Sequence, residues 1–285
     1  MKMAQLLEFQ QLEPSSRELM DRALDPYILL GMPHLTPLGL SETWLMKELG
    51  HRHWLMLARS MGLDDAGFRA GNGDDVYAAI CATSLQAGAL GEARPNDVLC
   101  IRSSLTPISR TQVLTNHRVG LSNRVVAEVE LISTFVHHAV KGDNHSIAKI
   151  DLSSRLERPS TRSELVAVGS QLRSGSLESH LGLPTASSSP RKSFHFTPCV
   201  TQEFNGAGLL YFAEYQAIAD RALASWFGDE PARKWVRRDV FFSGNARAGE
   251  PLAVELVGET KAENGFHLRI RRADRRPIAD IFSML

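Results

Sequence analysis

Glu48-Leu-Gly-His-Arg-His-Trp-Leu-Met-Leu-Ala58 and Glu203-Phe-Asn-Gly-Ala-Gly-Leu-Leu-Tyr-Phe-Ala213 align without gaps. Each reads as an acidic residue, an apolar residue, a polar or glycine-rich elbow and then the apolar start of a helix. The segments downstream repeat too. The chain therefore reads as an internal duplication in which each half is one structural unit.

Working outward from the first copy, residues 13–30 predict a short helix, capped at Ser15 or Ser16, and a first strand. Gly31 to Gly39 holds two prolines and two glycines and must be a loop. Ser41 caps a helix over 41–62, which Gly50 can divide and Gly62 can end. Strands follow at Val76–Gln86, Val98–Leu105, Val113–Val119 and Val125–Val136, separated by turn residues in the manner of an antiparallel meander. One further strand is expected at Ile147–Leu152.

Around the second copy the plan repeats. Phe194–Cys199 reads as a strand, Asn205-Gly206 as the elbow and Leu209–Phe227 as a helix. Strands are expected at Val236–Phe242, Leu252–Gly258, Phe266–Arg272 and Pro277–Met284. In the second of these Leu252, Val254 and Leu256 share one face. A helix after a first strand, then a meander, done twice, predicts an α+β double hot dog: two hot-dog units fused in one chain, each an antiparallel sheet wrapped around a central helix. Residues 1–160 form the expected N-terminal unit and 193–285 the C-terminal unit. Residues 161–192 read as a linker, on the strength of Pro184-Thr-Ala-Ser-Ser-Ser-Pro190.

Across the 285 residues, 32 basic and 32 acidic side chains balance, so nothing in the charge calls for nucleic acid or an anionic membrane. No apolar run approaches the roughly 18–20 residues that span a bilayer. The N-terminal MKMAQLLEFQQLEP is too polar for a signal peptide, and the expectation is a soluble cytoplasmic protein. Cys81, Cys100 and Cys199 lack metal-ligand spacing and read as buried thiols. No metal site or phosphate loop is expected: His51 and His53 have no acidic or cysteine partner, and His137-His138 point to opposite faces of a strand.

Three stretches carry a resemblance: Gly39-Leu-Ser-Glu-Thr-Trp-Leu-Met-Lys-Glu-Leu-Gly-His-Arg-His-Trp54, Phe204-Asn-Gly-Ala-Gly-Leu-Leu-Tyr-Phe-Ala-Glu-Tyr215 and Arg238-Asp-Val-Phe-Phe-Ser-Gly-Asn-Ala-Arg-Ala-Gly-Glu250. From about residue 25 to the end the chain resembles the bifunctional acyltransferase/decarboxylase family of trans-acyltransferase polyketide biosynthesis, of the leinamycin-pathway type. The resemblance implies a double hot-dog fold. It also implies an enzyme that decarboxylates methylmalonyl-CoA and passes the propionyl group to an acyl carrier protein through a tyrosine. On that reading the partners are an acyl-CoA and a carrier protein. Coenzyme A is a substrate and no cofactor is needed, and the chain is a monomer or homodimer.

The chain has four tyrosines, Tyr27, Tyr77, Tyr211 and Tyr215. Tyr77 opens the strand after the first helix, where a hot-dog pocket would open, and is the expected acyl acceptor. An aromatic filling a half-buried strand accounts for it too, and Tyr211 and Tyr215 fit a helical packing stripe. Losing carbon dioxide leaves an enolate, which needs donors fixed at the thioester oxygen. Gly206, Ala207 and Gly208 at a helix N-terminus could supply backbone N–H groups. Asn205 would serve them, or simply cap the helix. An asparagine at this elbow cannot be a carboxylate base, which disfavours hydrolysis. His53, Asn116 and His117 are further candidates for substrate contact, with His53, His117 and Arg118 available to lower the tyrosine pKa. Arg237, Arg238 and Arg271 could meet the phosphates of coenzyme A. The alternatives are a hot-dog hydrolase or dehydratase acting on acyl thioesters, and a non-catalytic protein that binds an acyl chain or carrier protein.

Overall fold

Strand-forming residues in alternation and two central helices with buried apolar faces account for the architecture of the computed structural model, which describes residues 13–151, 163–186, 190–228, 236–260 and 265–285. Helix α1 (Ser16–Ala23) leads to strand β1 (Tyr27–Leu29), a small hairpin of β2 (Leu35–Thr36) and β3 (Gly39–Leu40), and helix α2 (Glu42–Ser60). The meander β4 (Tyr77–Ala87), β5 (Val98–Pro107), β6 (Gln112–Leu121) and β7 (Arg124–His138) follows, with β8 (Ile147–Lys149) after it. Helix α3 (Glu164–Ser174) and a hairpin of β9 (Ser179–His180) and β10 (Leu183–Pro184) come next. Strand β11 (Ser193–Phe196), helix α4 (Phe212–Phe227) and strands β12 (Arg237–Phe242), β13 (Leu252–Thr260), β14 (Gly265–Arg272) and β15 (Pro277–Met284) complete the described chain.

The main sheet runs β1-β5-β6-β7-β4-β12-β15-β14-β13-β11, with β8 added to β7. Reversing the second half gives β11-β13-β14-β15-β12, the same order as β1-β5-β6-β7-β4. The duplication is thus written in the topology, and the halves join antiparallel at β4 and β12, from Arg237 opposite Gln86 to Phe241 opposite Ala82. Each half curls around its own helix. Leu45 and Leu49 of α2 pack on Leu99, Ile101 and Leu131, and Tyr215, Ile218 and Leu223 of α4 pack on Val254, Leu268 and Ile281. These are the two hot-dog units, and the expected alternation of Leu252, Val254 and Leu256 holds, all three being buried.

Both central helices meet at Gly50. A side chain there would put its Cβ 2.6 Å from Cε1 of Phe212 at the start of α4. Gly50 does not divide α2; its missing side chain lets α4 approach. Below the crossing lies a buried ion cluster in which Arg238 of β12, with 1% of its side chain exposed, bonds Glu42 of α2 (3.0 Å) and Asp220 of α4 (2.7 Å). Its Nε donates to Ser283 Oγ at 3.1 Å.

The duplicated motif needs a different register. Gly50-His51-Arg52-His53 lies inside α2, whereas Asn205 lies ahead of α4, so the two do not correspond. The true counterparts are the turns before the helices. Ser41 N donates to His34 O at 2.9 Å, and Tyr211 N donates to Glu203 O at 2.8 Å. The side chain of His34 accepts from Gly31 N at 2.7 Å, and that of Glu203 from Cys199 N at 2.7 Å. Thr36 Oγ1 accepts from Leu38 N as Asn205 Oδ1 accepts from Ala207 N. Thr36 is therefore the counterpart of Asn205.

The stretch 161–192, expected as a linker, contains α3 and the β9–β10 hairpin, which lie on the outer face of the sheet. Leu165 and Leu183 are buried there with Phe241 and Phe282. Ser163 caps α3 by accepting from Val166 N at 3.4 Å. His180 and His267 tie the hairpin down, bonding Asp239 Oδ2 (2.7 Å) and Pro184 O (2.8 Å). The boundary expected after residue 160, the end of the strand expected at Ile147–Leu152 and the N-terminal twelve residues lie outside the described residues. No helix among the described residues is long and apolar enough to cross a membrane. Cys81 and Cys100 are half-buried and Cys199 is exposed, so the expectation of buried thiols fails at Cys199.

Candidate functional site

The seam between the units closes only part of the way. Past Ala82–Phe241, β12 ends and the chain turns off through Ser243-Gly244-Asn245, while β4 continues to Tyr77. A bulge at Cys81 falls at this point, between the Ile80 and Ala82 pairings with β7. Strand bulges re-aim side chains, and here the split sheet opens a cavity of about 830 Å³. It runs from the α2–α4 crossing, at Trp54, Phe212 and Tyr215, through the split to the outer face at Gln112 and Thr134.

Five of the expected site residues line it: Tyr77, Asn205, Gly206, Ala207 and His53. Tyr77 stands at the strand end as a half-buried residue, its ring edge-on to His138 at 5.8 Å between centroids. Its hydroxyl makes no hydrogen bond to a described residue. Tyr211 and Tyr215 also line the cavity but are committed. Tyr215 donates to Gly244 O at 3.3 Å, and burial raises its pKa. Burial, then the nearby Glu214 and Glu48, push the Tyr211 phenol up to about 12. Tyr27 is exposed on an edge strand.

The elbow is a turn, not the helix N-terminus. Asn205 Oδ1 accepts from Ala207 N (3.0 Å) and Leu209 N (3.1 Å), which holds the turn and leaves its Nδ2 without a described partner. Leu210 bridges back to Phe204, and Asn245 takes both backbone groups of Leu210, at 2.9 Å from its N and 3.0 Å to its O. The helix therefore cannot begin before Phe212, and the expected start at Leu209 is corrected on that ground. No side chain caps α4 at Tyr211, so its first-turn N–H groups lie beside the cavity without a side-chain partner. Gly208 does not line the cavity; its carbonyl accepts from Asn144 Nδ2 at 2.7 Å.

The remaining expected residues are placed elsewhere or otherwise engaged. His53 is fully buried, with Nδ1 2.7 Å from Thr115 Oγ1 and Nε2 2.7 Å from Ser133 Oγ. His117 sits deeper in the same network, 2.7 Å from Ser103 Oγ and 3.0 Å from Thr115 Oγ1. Burial holds both imidazoles neutral, their pKa values lowered to about 3. With every ring nitrogen bonded, neither offers substrate a free donor or base. Asn116 faces a separate polar pocket on the outer side of the sheet, with Glu130 and Arg237. Arg118 pairs with Glu128 at 3.1 Å, away from the tyrosine. Arg237 pairs with Asp239, Arg238 with Glu42 and Asp220, and Arg271 with Glu255, so all three arginines proposed for phosphate are engaged.

A loop that sequence reading treated as merely polar completes the site. Lys141-Gly-Asp-Asn-His-Ser146 crosses from the N-terminal unit to the C-terminal one. Asp143 pairs with Arg247 at 2.9 Å, and this guanidinium holds the Asp143 carboxyl down at about 2. Asn144 Nδ2 also donates to Ala246 O at 2.8 Å. His145 Nε2 lies 2.8 Å from Glu250 Oε2, and His145 lines the cavity. These contacts join residues about a hundred positions apart, so local pattern carries no trace of them. No carboxylate stands among the described lining residues, and the described residues hold no cluster of ligands suited to a metal ion.

No protein-family profile and no curated protein matches this chain. Solved structures do. An acyl-ACP thioesterase from Bacteroides thetaiotaomicron superposes with a TM-score of 0.61 at 10% identity, covering 90% of this chain and 95% of that one. A 12:0-ACP thioesterase from Umbellularia californica gives a TM-score of 0.64 at 8% identity, covering 90% and 94%. At such identities the likeness is one of fold. Over nearly its whole length, this chain has the hot-dog fold of those thioesterases.

Proposed function

We propose that the chain is an enzyme acting on acyl thioesters, which decarboxylates a malonyl-type thioester and transfers the acyl group to a carrier protein by way of Tyr77. The observation that carries this reading is the composition of the cavity. A free phenol and a free carboxamide face one space of about 830 Å³ whose described lining has no carboxylate. Hydrolysis through an acidic base or nucleophile lacks its residue there. Decarboxylation needs no base, because the electron pair of the breaking carbon–carbon bond is the one that moves.

In this reading the Tyr77 oxygen attacks the thioester carbonyl. The thiol leaves carrying the phenol proton, and an aryl ester remains. Carbon dioxide then departs and its bonding pair flows to the ester oxygen as an enolate. Asn205 Nδ2 and the turn amide of Gly206 are the donors suited to that oxygen. Water protonates the α-carbon to give the saturated acyl ester, its hydroxide being taken up by carbon dioxide as bicarbonate, and the carrier thiol takes the acyl group by reversing the first step. Trp54, Phe212 and Tyr215 provide apolar surroundings for the acyl chain. A carrier protein and an acyl-CoA are the partners in this scheme, with no cofactor.

One observation favours a second reading. His145, oriented by Glu250, is a histidine–acid pair at the cavity wall and suits a general base for hydrolysis or dehydration. Intact-protein mass spectrometry after incubation with methylmalonyl-CoA separates the two. The expected result is a propionyl-sized adduct on the wild type that Tyr77→Phe lacks. Free methylmalonate in the small-molecule fraction, or an enoyl product when a 3-hydroxyacyl-CoA is supplied instead, lost in His145→Ala but kept in Tyr77→Phe, would replace the proposal with the second reading.

A further inference from the structure

We infer that the outer end of the cavity is an oxyanion-binding site formed by Thr134, Gln112, Lys149 and Arg173. Thr134 decides the matter. Its residue is 5% exposed, it lines the cavity, and its hydroxyl has no hydrogen-bond partner among the described residues. Burying a hydroxyl without a partner is costly, and a polar ligand in the cavity would meet it.

Strand geometry gathers donors around this hydroxyl. Gln112 on β6 lies directly opposite Thr134 on β7, so their side chains share the outer face. Val136 follows on the same face, and Lys149 of β8 lies directly opposite it. Arg173 comes from above, on the last turn of α3. That helix sits close to the seam, since a Cβ on Gly169 would stand 3.2 Å from Cδ1 of Phe241. Neither Lys149 nor Arg173 forms an ion pair with a described residue, although the arginines near the seam, Arg237 and Arg238, are both paired. The site borders the Cys81 thiol at the bulge, to which Gln112 Nε2 donates one hydrogen at 3.6 Å, leaving its second N–H for a ligand. The arrangement is a hydroxyl, a carboxamide and two free positive charges at one end of the cavity. The other end carries Asn205 and the turn. Such a donor set fits the oxygens of a phosphate or carboxylate.

Two parts of a thioester substrate carry that chemistry: the phosphate of a phosphopantetheine arm and the terminal carboxylate of a malonyl-type acyl group. The naming of these two sources rests on the thioester reading; the site itself does not. Isothermal titration of the full chain tests both. Arg173→Gln, Lys149→Gln and Thr134→Val are compared with the wild type, and Thr134→Ser serves as the rescue. Ligands are propionyl-CoA, S-methylmalonyl-N-acetylcysteamine, inorganic pyrophosphate and malonate, with circular dichroism melts to establish folding.

The expected result is about tenfold weaker binding of anionic ligands in Arg173→Gln and Thr134→Val, with Thr134→Ser close to wild type. Losses confined to propionyl-CoA and pyrophosphate assign the site to phosphate. Losses confined to the methylmalonyl thioester and malonate assign it to carboxylate. Wild-type affinities in all the folded variants would overturn the inference. If the wild type binds neither thioester, the functional reading fails, and pyrophosphate and malonate still decide the site. Binding of either that weakens in Arg173→Gln supports it, and binding of neither overturns it.

Discussion

Replacing Arg238 by methionine tests how the two helices and the seam are held together. The guanidinium is buried between Glu42 and Asp220, whose side chains are 17% and 31% exposed. Removing it leaves two carboxylates facing each other with little water. Breaking such a buried pair costs about 3–5 kcal/mol, and the partial exposure of Asp220 puts the expectation near the lower end, about 3 kcal/mol. At roughly 2–4 °C per kcal/mol for a chain of this size, the melting temperature should fall by roughly 6–12 °C near pH 8.

The pH dependence carries the sharper test. Burial, opposed by Arg238, holds the Glu42 carboxyl above its ordinary value in the folded protein. A group whose folded pKa is raised contributes stability when protonated and loses it as pH rises through that value. Without Arg238 the pKa of Glu42 climbs further. The penalty of Arg238→Met should therefore shrink on acidification, by up to about 1.4 kcal/mol per pH unit, and Glu42→Gln in the same chain should recover part of it. Urea unfolding followed by circular dichroism near pH 8 and near pH 5.5 measures both. A loss below about 1 kcal/mol near pH 8, or one that does not change between the two conditions, would refute the reasoning.

Three further outcomes are expected. Leu49→Ala removes a fully buried side chain from the packed face of α2 and should cost about 2–5 kcal/mol in urea unfolding. Gly50→Ala gains helix propensity worth about 1 kcal/mol. It also forces Phe212 away at the crossing, for about 1–3 kcal/mol, so a net loss of stability is expected, and a clear gain would show that Phe212 moves freely. His53 and His117 are held neutral by burial, so each contributes stability above its unfolded pKa of about 6.5 that is lost as pH falls toward the lowered folded value. His117→Gln should reduce the slope of stability against pH between about pH 6 and 4 by about 1.4 kcal/mol per unit; equal slopes in urea titrations would count against a neutral, buried His117.

Much of the fold was legible because strands with one buried face must alternate. Leu252-Ala253-Val254-Glu255-Leu256 announced both its strand and its inner face. Helix α2 was legible from Ser41, whose hydroxyl accepts from Trp44 N at 3.2 Å. The register of the duplication was not. A shared glutamate, alanine and apolar run are common residues in amphipathic helices, while the real correspondence lies in backbone bonds made by unlike side chains, His34 with Glu203 and Thr36 with Asn205. Helix α3 was hidden by its serine- and proline-rich surroundings, and its apolar face makes sense only against Phe241 and Phe282. Tyr77 was found at the cavity because strand ends in a wrapped sheet are where a helix leaves space. His145 and Glu250 were missed because a contact across 105 positions leaves no periodicity to read.

On the proposed function, the unequal treatment of the two turns predicts the binding stoichiometry. A pair of identical hot-dog chains would present two equivalent turns and two equivalent sites. In this chain the Asn205 turn opens on the cavity, whereas a Cβ on Gly39 in the Thr36 turn would lie 2.4 Å from Leu90 O, with the backbone of Gly91 close behind. The counterpart turn is stoppered by its own chain. Saturation should therefore come at one ligand per polypeptide.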